Sequence, residues 1–100
     1  MAQRRSLRTE RDLVRFGDNL LRWRKLHGLT AQLVADRAGV TRATLRSIER
    51  GEGTAKLENV FAVLRVLGQT EPVLAATEPM NSDLGRANAG ELLPQRVRLR

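Results

Sequence analysis

The residues of this 100-residue chain best placed to do chemistry are arginines, and the chemistry they offer is the grip of an anion. Between Thr41 and Arg50, Leu45 and Ile48 fall on one side of a helical projection. Arg42, Ala43, Arg46, Ser47 and Arg50 fall on the other. A guanidinium carries its charge at every physiological pH and presents a fixed fork of donors. A helix with that exposed face, held by a partner helix, can enter the DNA major groove. Catalytic groupings are missing by comparison. There is one His and no Cys. Carboxylates do not cluster at useful spacing, and Gly51-Glu52-Gly53 is a helix-stop loop rather than a phosphate cradle. The chain therefore does not read as an enzyme, and no metal or other cofactor is expected.

Two helices and a tight turn must position those arginines. The first runs from about Thr30 to Ala38, and the second from about Thr41 to Arg50. Between them, Ala38-Gly39-Val40-Thr41 supplies a glycine able to take positive φ, an apolar anchor and a capping hydroxyl. Gly51 stops the second helix. Two longer helices supply the core. Helix 1, about Asp12 to His27, places Leu13, Phe16, Leu20, Trp23 and His27 at spacings of three and four. Trp23 is expected inside, and His27 is expected to end the helix beside Gly28. Helix 4, about Lys56 to Leu67, carries Leu57, Val60, Phe61, Leu64 and Leu67. A fifth short helix is expected from Glu71 to Ala76, capped by Thr70 with Pro72 in its first turn. Beyond the break at Thr77-Glu78-Pro79, another short helix from Asp83 to Leu93 is weakened by Gly85 and Gly90 and ended by Pro94. Residues 95–100 alternate polar and apolar, a weak strand signal that would need a second subunit to pair with.

The formal net charge is +7 and the pI about 11.5, which favours a polyanionic partner. The excess is uneven. Residues 1–55 hold twelve Arg/Lys and six Asp/Glu, whereas 56–100 hold six and five. The absence of Cys is compatible with a reducing cytoplasm. No apolar run approaches the roughly 20 residues of a membrane helix. The basic N-terminus lacks the apolar segment of a secretory signal. These features divide the chain into a flexible basic arm at 1–11 or the ragged start of helix 1, a helical domain at 12–77 and an extension at 78–100.

From Phe16 to Gly68 the chain resembles the Xre/Cro/CI-type helix-turn-helix regulators. Phe16-Gly17, Leu20, Arg24, Gly28-Leu29-Thr30, Val34-Ala35, Ala38-Gly39-Val40, Ile48-Glu49-Arg50-Gly51, Leu57-Glu58 and Leu67-Gly68 sit at that family's spacings. The resemblance implies an all-α, five-helix phage-repressor-like domain that docks as a homodimer on a palindromic operator in double-stranded DNA and represses transcription. By position, Arg42, Ala43, Arg46 and Ser47 would face base edges. Arg could fork onto guanine, and Ala43 could offer apolar contact to a thymine methyl. Thr30, Gln32, Thr41, Thr44 and Arg50 would face phosphate. The family usually has Gln directly after the helix-2 cap, where it grips phosphate. Here Ala31 stands there with Gln32 next, so either Gln32 substitutes or one contact is missing. Arg24 and Glu49 match a pair that bridges helices 1 and 3 in this family.

The tail carries a second resemblance. Ser82-Asp83-Leu84-Gly85-Arg86-Ala87 and Glu91-Leu92-Leu93-Pro94-Gln95-Arg96-Val97-Arg98 look like the C-termini of HipB-like antitoxins, small regulators encoded beside HipA-like kinase toxins. The alternative function that follows is an antitoxin whose main role is to bind such a kinase, with autoregulatory DNA binding. The plainer reading of the same tail is a dimerisation or surface-packing appendage.

Overall fold

The computed structural model describes residues 4–92, and every regular element among them is helical. Helix α1 spans Leu7–Leu26, α2 Ala31–Ala38, α3 Arg42–Arg50, α4 Leu57–Val66, α5 Thr70–Thr77 and α6 Asp83–Ala87, with a 3-10 turn at Pro79–Asn81. This is the all-α architecture expected of a helix-turn-helix domain. The chain clusters into two units that divide after Thr70.

In the first unit, local capping chemistry sets the helix ends. The Thr30 hydroxyl accepts from the Leu33 amide at 3.1 Å, and Thr41 does the same for Thr44 at 3.0 Å. Gly39 closes α2 at φ 73°, a left-handed conformation that costs a side-chain-bearing residue about 1 kcal/mol or more. Its amide and that of Val40 satisfy the carbonyls of Asp36 and Ala35. These two ends face each other across the α2–α3 turn, so its geometry follows from four consecutive residue types.

Helix α1 begins at Leu7 rather than near Asp12. Ser6 accepts from the Thr9 amide at 3.0 Å, and Glu10 lies in the first turn, where its charge suits the helix dipole. The segment ahead of the helix is thus shorter than the expected arm, and Arg5 in it donates to the Glu52 carbonyl at 3.2 Å.

The core of this unit is Leu20, Val34, Ala35, Leu45, Ile48, Val63, Leu64 and Leu67. Helix α1 packs on α3, and α2 packs on both α3 and α4. Three residues of the expected apolar stripes differ. Trp23 is 38% exposed, Phe16 36% and Leu57 70%. On the helical projection Phe16 and Trp23 lie together to one side of Leu20, away from Gly17 and Arg24, which face α3, and Leu57 occupies the first turn of α4. The Trp23 ring stacks on His27, whose Nε2 lies 2.9 Å from the Leu67 carbonyl. The single histidine thereby ties the end of α1 to the end of α4.

The second unit is held by its own caps. Thr77 Oγ1 donates to the Val73 and Leu74 carbonyls, and Asn81 Nδ2 donates to the Ala75 carbonyl at 2.9 Å. Ser82 donates to the Pro79 carbonyl and accepts from the Gly85 amide. Gly85 is buried hard against Pro79, where a Cβ would collide with backbone. The helix expected from Asp83 to Leu93 is interrupted: Asn88, at φ −117° and ψ 26°, ends α6, and helix resumes at 89–92. Pro94 and the strand expected at 95–100 lie outside the described residues, as do residues 1–3.

Candidate nucleic-acid interface

Helix α3 is amphipathic by construction. Leu45 and Ile48 are buried at i and i+3, which fixes the rotation of the rod. Arg42, Ala43, Arg46 and Arg50 are left exposed on the far side, with Thr44 and Ser47 half-buried beside them. The four residues expected at base edges therefore share one accessible surface.

Three contacts fix where that rod sits. First, α1 crosses it with almost no space between backbones. A Cβ placed on Gly17 would lie 2.7 Å from the Glu49 carbonyl oxygen and closer still to that of Ile48. A Cβ on Gly51 would lie 2.5 Å from the Leu13 carbonyl oxygen, at a residue already in the left-handed region with φ 72°. Second, Arg24 of α1 forks onto Glu49 of α3. Nε donates to Oε2 at 2.7 Å and Nη2 to Oε1 at 3.1 Å, while Nη1 donates to the Leu29 carbonyl at 3.2 Å. The two side chains retain only 14% and 12% of their exposure, so water screens the pair weakly. Third, α2 reaches α3 through Gln32, whose Oε1 accepts from Arg42 Nη1 at 3.2 Å.

The remaining candidates divide by engagement. Thr30 and Thr41 spend their hydroxyl oxygens on helix caps. Thr41 also donates to Thr44 Oγ1 at 3.0 Å. Ser47 Oγ is paired with Thr54 Oγ1 at 3.0 Å, a link to the following loop. Gln32 is committed at both ends, since its Nε2 donates to Asp36 Oδ1 at 2.8 Å. Among the described residues, nothing hydrogen-bonds or ion-pairs with the guanidinium groups of Arg46 and Arg50. The short side chain of Ala31 leaves a notch of about 180 Å³ between α2 and α3, lined by Arg24, Ala31, Arg42, Leu45, Arg46 and Glu49.

Charge separates the two units. Residues 1–70 carry fourteen Lys/Arg and seven Asp/Glu, a net +7. Residues 71–100 carry four and four, a net of zero. The positive potential needed to hold a polyanion thus belongs to the unit that contains α3. The described residues contain no group of three or more His, Cys, Asp and Glu able to hold a metal ion. No helix among them is long and apolar enough to cross a membrane.

Sequence reasoning missed the Gly17 crossing, the Arg5–Glu52 bond, the Ser47–Thr54 link and the Asp36–Gln32–Arg42 chain. Phe16-Gly17 was visible as a motif, but the clash behind it requires α3 in place. The other three join segments whose proximity no local pattern encodes.

Residues 20–74 match a family model described as helix-turn-helix. No curated protein and no solved structure matches the chain.

Proposed function

The chain belongs to the Xre/Cro/CI-type helix-turn-helix family, whose business is DNA-binding transcriptional regulation, and on that premise we propose a repressor that reads a palindromic operator as a homodimer. The observation that carries this reading is the outward face of α3. Arg42, Ala43 and Arg46 are exposed on a helix whose opposite side is buried, and nothing among the described residues pairs with Arg46. Arg42 and Arg46 fork onto guanine O6 and N7, and Ala43 meets a thymine methyl. Arg50, Thr44 and the backbone amides at the start of α2 hold phosphate. Thr30, Thr41 and Gln32 reach phosphate with what their caps and bonds leave free.

Selection of bound sequences from a random duplex pool tests this. The expected product is an inverted repeat whose half-site centres lie about 10 base pairs apart, one turn of the duplex. Recovery of no enriched sequence would remove sequence-specific reading. On the selected site, Arg42→Ala or Arg46→Ala is expected to cost about 1–3 kcal/mol in binding and to relax preference at a single base pair. Arg50→Ala is expected to weaken all duplexes alike and to flatten the dependence of affinity on salt, as loss of one phosphate contact should. Titrations of labelled duplex at several salt concentrations separate the two behaviours.

A second reading is favoured by the composition of the second unit. Residues 71–100 carry no net charge, and among the described ones Leu74, Met80, Leu84 and Leu92 are exposed. Such a surface offers a polyanion no net attraction and suits a protein partner. In this reading the chain is an antitoxin that binds a HipA-like kinase toxin and controls its own synthesis. Co-purification with a kinase of that type encoded beside it is the expected result. Failure to associate with such a kinase leaves the appendage to dimerisation.

A further inference from the structure

We infer that Asp36, which does not itself touch DNA, sets base preference by orienting Arg42 through Gln32. The inference rests on the reading of α3 as the element that meets base edges.

Three exposed side chains form a directed chain across the two helices of the motif. Gln32 Nε2 donates to Asp36 Oδ1 at 2.8 Å, and Gln32 Oε1 accepts from Arg42 Nη1 at 3.2 Å. Chemistry fixes the direction. A carboxylate only accepts and a guanidinium only donates, so the amide between them has one satisfactory orientation. Asp36 holds the amide nitrogen, which leaves the amide oxygen facing Arg42. With Asp36 absent, the amide can turn its NH₂ toward the guanidinium, and the restraint on Arg42 becomes a repulsion between donors.

The i,i+4 bond from Gln32 to Asp36 stabilises α2 only slightly, and the position of the carboxylate works against it. Asp36 lies in the C-terminal half of an eight-residue helix, where the dipole disfavours negative charge. Its carboxylate also opposes phosphate on the basic unit. A restrained Arg42 supplies a further reason. The arginine at the first position of α3 has many rotamers, and choosing one before binding lowers the entropy lost on docking. It also selects which base edge the fork can meet. Bonds that are weak in water strengthen once the duplex excludes solvent from them. Ala31 leaves the notch beside Arg42 open, so Gln32 is the residue of α2 that reaches it.

The test uses the full chain and the duplex selected by the native protein, with each base pair changed in turn. Asp36→Ala is expected to melt at or above the native temperature. It is expected to bind random duplex about twofold more tightly, for loss of a negative charge, and yet to lose about three- to tenfold of its discrimination at the base pair that Arg42→Ala affects. Asp36→Asn removes the charge but keeps an oxygen for Gln32, so it should gain the affinity and retain the discrimination. Unchanged discrimination in Asp36→Ala would overturn the inference while leaving the reading of α3 intact. So would equal losses in the alanine and asparagine variants, because charge alone would then account for both. A native protein that selects no sequence, or an Arg42→Ala variant with native preferences, would remove the reading and the inference together.

Discussion

Gly17→Ala is expected to lower the stability of the first unit by about 3 kcal/mol net, a fall in Tm on the order of 15 °C for a domain of this size. The sign is informative, because in an open helix the same change stabilises by about 1 kcal/mol. Gly17 lies inside α1 with helical backbone, and the atoms a methyl group would meet are the carbonyls of Ile48 and Glu49. These belong to the backbone of α3 and cannot swing aside as a side chain can. The helices must separate instead, opening the contacts of Leu20, Leu45 and Ile48 in a core that has few other members. Thermal unfolding followed by circular dichroism measures the loss. A variant as stable as the native protein would mean that α1 and α3 do not approach this closely.

Glu49→Ala is expected to cost a similar amount, about 3 kcal/mol, by another route. The change leaves the Arg24 guanidinium nearly buried with only the Leu29 carbonyl to receive its protons. An uncompensated charge in that position costs more than the pair contributes when intact. Replacing both partners by apolar residues of similar volume, Arg24→Met with Glu49→Leu, should therefore recover most of the loss. Urea melts of the single and double variants close the cycle. A native midpoint for Glu49→Ala would show that the fork contributes nothing to the angle or hold of α3.

Both variants act on the element that the sequence made easiest to find. Thr30, Gly39, Thr41 and Gly51 announce the ends of α2 and α3, because capping depends on residue types within four positions. Leu45 and Ile48 announce which side of α3 is buried, because a helix repeats every 3.6 residues. Periodicity is poorer at the margins. It places a residue on an arc of a helix and not at a depth, so Trp23 and Phe16 looked like core and lie at its edge. The start of α1 was hidden because Ser6 to Arg11 reads equally as a polar tail or a capped first turn, and only packing decides between them. The candidate site was legible as a shared helix face and not in its wiring. Arg42 and Arg46 could be placed on one face from spacing alone. That Arg42 is held by Gln32, and Gln32 by Asp36, depends on how α2 and α3 cross, which spacing does not encode.

The surface proposed to receive DNA is the outward face of α3. Backbone and arginine side-chain NMR signals recorded while the selected duplex is titrated into the full chain address it most directly. The largest shifts are expected at Arg42, Ala43, Arg46 and Ser47, with smaller ones at Arg50 and the first turn of α2, and none at Leu84 or Met80. Shifts centred on Trp23 and Leu26 of α1, with the α3 arginines unmoved, would contradict it.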